Sequence, residues 1–277
     1  MVKRDALLEL RFENLPAAAV VSCCARLKEL APGLLGAAGL AYDGVEAFGT
    51  CKRLALLASG VSSAGGRDRA AAKSLAAVFP RLAASLSSGP GMSWDDSGLL
   101  FPRPLRGLLA LYGDGPVAFS LGGLKSGRVT SGLDALGARR VSVTCAEKYF
   151  AELARANVVV KQDERLASMR RELAALSKRM KLVVEPDEEL LQAHLYLAEC
   201  PVWVLSGFSQ ELLSLPRETL RRAMKELLFF PVTDQKGAPQ PYLAGLRDGV
   251  SRGQRNVEEG FRHALEDSLR ARLACRG

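Results

Sequence analysis

Histidine is nearly absent from the 277 residues, which hold only His194 and His263. They fall on separate predicted helices and outside H-E-x-x-H or related metal patterns, so neither a Ser-His-Asp nor a Cys-His relay is expected. Each reads as a surface or hydrogen-bonded histidine. The six cysteines, at 23, 24, 51, 145, 200 and 275, never approach the C-x2-C to C-x4-C spacing that brings two thiolates to one tetrahedral zinc. They read as reduced thiols of a cytoplasmic protein. Aromatics make up 6%, so the core must come mainly from Leu, Ala and Val. Long apolar runs are missing as well. The stretches at 17–21 and 202–205 are far too short to span a bilayer. The start, MVKRDALLELRF, meets Glu9, Arg11 and Glu13 before any signal-peptide core could form. No membrane is expected among the partners.

Two suggestive patterns also fail. Lys125-Ser126 after Gly122-Gly123 lacks the second glycine spacing of a G-x-x-x-x-G-K-[ST] phosphate loop, so the glycine pair reads as a tight turn between strands. Asp95-Asp96 and Glu188-Glu189 are adjacent carboxylates, which do not face each other on a strand or helix, and read as solvated. No catalytic residue and no metal ligand is assigned.

What is present is a folding composition, 48% apolar and 25% charged, at a length that suits one large domain or two ordinary ones. Thirty-eight basic against 30 acidic side chains give +8, which favours polyanionic partners through counterion release. The run at 7–12 reads as a strand, followed by a helix from Pro16 that Pro32-Gly33 stops. A loop at 48–50, a buried strand at 54–61, a flexible linker at 62–66 and an Ala-rich helix at 67–88 come next. Short β runs at 108–112, 117–121, 128–131 and 140–144 read as antiparallel sheet. Beyond them lie a helix at 146–155, a strand at 158–160, helices at 164–180 and 187–198, and a strand at 202–205. Helices at 210–213 and 218–227, a Gly- and Pro-rich loop to about residue 242, and a final helix at 256–273 complete the pattern. The fold expected is α+β, with antiparallel sheets and packed helices in two subdomains. Residues 1–145 would form a strand-helix unit plus a central antiparallel sheet, and 146–277 a second α/β portion with a carboxy-terminal helix.

Several motifs, read in order, carry a resemblance. They are Leu7-Leu8-Glu9-Leu10-Arg11-Phe12-Glu13-Asn14-Leu15-Pro16-Ala17, Thr50-Cys51-Lys52-Arg53-Leu54-Ala55, Met92-Ser93-Trp94, Phe101-Pro102-Arg103-Pro104 and Gly127-Arg128-Val129-Thr130. Ala146-Glu147-Lys148-Tyr149, Glu164-Arg165, Glu199-Cys200-Pro201-Val202, Gly207-Phe208, Leu215-Pro216-Arg217-Glu218 and Met224 follow collinearly. Together they resemble the amino-terminal part of bacterial glycyl-tRNA synthetase β subunits. The sequence departs from that pattern at Ser93, where the family has arginine, and at Leu133-Asp134-Ala135, where it has His-Arg-Phe. Glu226-Leu227-Leu228 stands where a polar pair precedes Phe229-Phe230, and the stretch between Val61 and Met92 is short. Typical members also continue through an HD-type helical domain and an anticodon-binding domain.

The resemblance implies a non-catalytic subunit partnered with a catalytic α subunit, which uses ATP and magnesium to form glycyl-adenylate and passes glycine to tRNA. This chain itself would carry no cofactor and no class II active site, for which no arginine-centred motif is assigned. By motif position and charge, Arg103, Arg128, Arg221 and Arg222 are the side chains expected to touch the tRNA backbone. A free-standing RNA-binding or regulatory paralogue that has lost the glycylation role is the alternative.

Overall fold

The computed structural model describes residues 3–63, 68–87, 91–93, 98–250 and 253–274. Trp94, the Asp95-Asp96 pair, Cys275 and most of the expected linker lie outside them. The chain forms two compact units, Met1–Gln162 and Asp163–Gly277. The division falls at 162/163 and not at the 145/146 expected from sequence. Its cause is Tyr149 and Phe150, which pack into the first unit through the Glu9 carboxylate and the Phe48 ring.

In the first unit, strand β1 (Arg4–Phe12) leads into helix α1 (Ala17–Ala37), then β2 (Leu40–Ala41), β3 (Gly44–Gly49), β4 (Arg53–Ser63) and helix α2 (Asp68–Ser85). Short strands β5 (Met92–Ser93) and β6 (Leu100–Phe101) precede β7 (Leu105–Tyr112) and β8 (Gly115–Pro116). The hairpin β9 (Ser120–Leu121) and β10 (Leu124–Lys125), the ribbon β11 (Val129–Ser131) and β12 (Arg140–Ser142), and helix α3 (Tyr149–Arg155) complete it. The main sheet runs β2-β4-β1-β7-β8, with β3 also on β4, and its strand pairs are antiparallel. Residues 6–10 of β1 are buried in succession, which marks a strand covered on both faces and explains its poor alternation.

Helix α1 does not stop at Pro32. Its apolar stripe of Val20, Leu27, Ala31 and Leu35 continues through the proline, so one missing N–H is outweighed by burial of the following turn. The expected loop at 48–50 largely belongs to β3, because Gly49 lets α1 sit close, its missing Cβ position being occupied by Val20 and Cys24. Gly122 and Gly123 both take positive φ, 55° and 70°, and form the expected tight turn between β9 and β10. The expected strand at 158–160 is instead buried coil behind a helix stop. Asn157 is left-handed at φ 60°, with Val158 N–H on Leu153 O (2.9 Å) and Asn157 N–H on Ala154 O (3.1 Å), a Schellman closure of α3.

In the second unit, helix α4 (Gln162–Met180), β13 (Val183–Val184), helix α5 (Glu188–Leu195), β14 (Pro201–Gly207) and helix α6 (Arg217–Glu226) precede β15 (Phe230–Thr233), β16 (Pro239–Asp248) and helix α7 (Gln254–Ala274). The sheet order is β13-β15-β16-β14, antiparallel throughout. Period-2 alternation divides its side chains between two apolar layers. Phe230, Val232, Ala244 and Leu246 join Met169, Leu176, Leu191 and Trp203, whereas Phe229 and Leu243 join Leu220, Met224, Leu265 and Leu269. Strand β16 corrects the expected loop to residue 242. Its prolines at 239 and 241 sit at the entry, beside the register shift between Pro231 and Thr233, where a lost ladder donor is tolerated.

Candidate functional site

The first unit buries a four-residue polar network. Glu9 on β1 and Arg53 on β4 are each 1% exposed. Arg53 Nη1 donates to Glu9 Oε2 at 3.2 Å and Nη2 to Ser131 O at 3.1 Å. Thr130 Oγ1 donates to Glu9 Oε1, and Tyr149 OH to Glu9 Oε2 at 2.6 Å. A parallel bridge between Leu109 and Gly127 brings the chain alongside β7 so that Thr130 reaches the carboxylate. Both oxygens of Glu9 are satisfied and its charge is balanced, which is the condition for keeping a carboxylate out of water.

One face of this unit opens into a cleft of about 540 Å3 lined by Arg11, Phe12, Glu13, Asn14, Lys52, Arg103, Arg106 and Asp134. The end of β1, the turn before β4 and the 101–106 segment build it, tied by Glu13 N–H on Pro104 O (3.2 Å) and Phe12 N–H on Lys52 O (2.7 Å). Arg106 pairs with Glu13 and Lys52 with Asp134. Arg103 donates from Nε to Asn14 O at 3.0 Å.

The four sequence-predicted arginines do not form one group. Arg103 lines this cleft, whereas Arg128, also in the first unit, is half-buried with Nη2 on Asp114 O at 2.9 Å. Arg221 and Arg222 are exposed neighbours on α6 in the second unit, lining a cleft of about 480 Å3. There the cations meet carboxylates. Glu185 receives Arg217 Nη2 at 2.9 Å and also Arg221, while Lys225 Nζ lies 2.7 Å from Glu189 and 3.4 Å from Asp187. Glu226 is held below the usual carboxylate range by hydrogen bonds from Arg272 and Arg222. A phosphate entering this belt would have to displace a carboxylate at nearly every step. Arg11 was not singled out from sequence. Its signal is structural only, since it alternates into a buried strand and is exposed by the cleft.

His194 is buried, with Nε2 2.7 Å from Leu228 O and its ring stacked on Phe230 at 5.8 Å between centroids. Burial lowers its pKa from the ordinary value, with the Leu228 carbonyl partly opposing. Among the described residues no group of three or more His, Cys, Asp or Glu is placed to hold a metal, and no helix is long and apolar enough to cross a membrane.

The family model of the glycyl-tRNA synthetase beta subunit matches residues 62–274. The chain belongs to that family. It is 33% identical over 199 residues to a glycine–tRNA ligase beta subunit of Halothermothrix orenii, covering 71% of this chain and 28% of the relative. That of Bacillus subtilis is 32% identical over 203 residues, covering 73% and 29%. The beta subunit of Halalkalibacterium halodurans is 27% identical over 330 aligned positions, covering 99% of this chain and 47% of the relative. The chain thus spans at most about half the length of these curated relatives. That last alignment is longer than the 277-residue chain, so the relative carries positions with no counterpart here.

Four residues from the motifs that carry the resemblance turn out to be framework. Glu9, Arg53, Thr130 and Tyr149 come from four separate motifs and meet in the single buried network. In the second unit Arg165, fully buried, donates Nε and Nη2 to Leu195 O, the last residue of α5, at 3.1 and 3.0 Å. Gly132, just after the Gly127–Thr130 motif, has no room for a side chain, since a Cβ would stand 2.9 Å from Ala156 Cβ.

Proposed function

We propose that this chain acts as a β-type subunit that assembles with a catalytic α subunit and helps hold tRNA for glycylation. Membership of the glycyl-tRNA synthetase beta subunit family over residues 62–274 carries the reading. In it, ATP and magnesium are used by the α subunit, and this chain contributes docking surface and backbone contacts to tRNA in the cytoplasm. The geometry supports Arg103 as a phosphate contact, because its Nε is fixed by Asn14 and its remaining N–H groups face a cleft. Arg128 keeps N–H groups beyond the one on Asp114. Arg221 and Arg222 would serve only after exchanging Glu185 and Glu226 for phosphate.

The test is reconstitution. Purified α subunit and tRNA are assayed for glycylation with and without this chain, alongside co-purification of the two proteins. Stable association and a gain in glycylation are expected. Absence of both, with tRNA still bound by the isolated chain, would assign it instead to the free-standing RNA-binding reading.

A further inference from the structure

Two arginines of the first unit's cleft have no carboxylate partner among the described residues. Arg11, near the end of β1, stands directly opposite Arg53 on β4 and Gly107 on β7. Residues paired in this way share a face of the sheet, with Cβ atoms roughly 5 Å apart, and like charges so placed repel. Arg53 is neutralised by Glu9. The Arg11 side chain makes no hydrogen bond or ion pair among the described residues, and the absence of a side chain at Gly107 gives its guanidinium a place to lie, with Nε 3.5 Å from where a Cβ would stand. Arg103 spends Nε on Asn14 O at 3.0 Å, which orients the guanidinium plane and leaves its Nη groups unengaged among the described residues. The cleft's two carboxylates, Glu13 and Asp134, are already taken by Arg106 and Lys52. Four cations therefore line one opening of about 540 Å3 with both acids spent.

We propose that this cleft binds a phosphate of an RNA backbone, gripped by the guanidinium groups of Arg11 and Arg103, with Lys52 and Arg106 adding charge at its rim. Planar N–H forks match phosphate oxygens, and an arginine without a counter-ion beside a neutralised one gains most from an arriving anion. The choice of RNA over free phosphate rests on the subunit role proposed above.

The experiment measures binding of a fluorescently labelled glycine-tRNA transcript to the full chain across a salt series. Each lost phosphate contact removes about 0.7–0.9 from the slope of log K against log salt. Arg11→Gln and Arg103→Gln should each lower the slope, by up to that amount, and weaken binding about 3- to 10-fold at fixed salt. Arg11→Lys and Arg103→Lys should keep most of the slope, and Lys178→Gln, an exposed cation on α4, should leave both quantities unchanged. Urea midpoints equal to wild type would show that all variants fold. Bound transcript with unchanged slope in both glutamine variants overturns the site while leaving the subunit reading intact. An equal loss in Lys178→Gln overturns it too, as diffuse attraction. Displacement of the transcript by sub-millimolar inorganic phosphate would assign the cleft to a free anion and reject RNA. A wild-type chain that binds no transcript rejects the site, and glycylation reconstituted with the α subunit then decides the subunit role independently.

Discussion

Replacing Arg53 by methionine removes the cation paired with Glu9, at a position 1% exposed. An uncompensated buried charge costs about 3–5 kcal/mol, far more than the loss of packing between two unbranched side chains of similar length. The same change orphans the contact to Ser131 O, 3.1 Å away. Tyr149→Phe removes one hydrogen bond of 2.6 Å to the same carboxylate and should cost about 1.5–3 kcal/mol, the range for bonds to charged groups. Because both act on Glu9, the double variant should be less destabilised than the sum. Once Arg53 is gone, the pocket around Glu9 is already loosened, and less remains for the loss of the tyrosine bond to disrupt. Urea unfolding followed by circular dichroism should show a midpoint lowered on the order of 1–2 M for Arg53→Met. Hydrogen exchange of β1 and β4 would assign the loss to the first unit, since two compact units need not unfold together. A cost below about 1 kcal/mol for Arg53→Met, or strict additivity with Tyr149→Phe, would refute the account of this network.

Stability of the second unit should fall as pH drops below about 6.5, because His194 takes up its proton more readily unfolded than folded, and the loss should level off below its lowered folded pKa. His194→Gln should flatten that dependence in pH-series melts; an unchanged slope would refute the assignment. Gly49→Val should destabilise the first unit by about 1–3 kcal/mol or more, since its side chain would collide with Val20 and Cys24, and chemical denaturation measures it. The Cys200 thiol is pushed up to about 11 by burial and by the negative charges of Asp248, Glu172 and Glu199. It should therefore resist iodoacetamide at pH 8 in the folded chain and react in urea, a difference read by mass spectrometry.

The local rules served where short-range chemistry decides the outcome. Gly122-Gly123 supplies a turn whose two positive φ angles glycine adopts freely, and Asp187 caps α5 by accepting from Leu190 N–H at 3.0 Å. The α+β class and the family were legible for the same reason, as alternation, helical stripes and ordered motifs are properties of the chain itself. Local rules failed where distant burial overrode them, as at Pro32 inside α1 and at the prolines that open β16. They failed again at Leu228. This leucine sits left-handed at φ 59° past α6, closed by Phe229 N–H on Met224 O at 2.8 Å and by the His194 ring 34 residues away.

The same division separates motif from site. Sequence order places Glu9, Arg53, Thr130 and Tyr149 in motifs that resemble one family's, but only the folded sheet shows that they meet, because their contacts span 44 to 140 residues. Charge and motif position single out Arg103, Arg128, Arg221 and Arg222 alike. Tertiary structure distinguishes them by neighbouring carboxylates, which occupy Arg221 and Arg222 and leave Arg103 facing a cleft beside Arg11. A cation's availability depends on which acids the fold brings within a few ångströms, and no reading of the linear chain contains that distance.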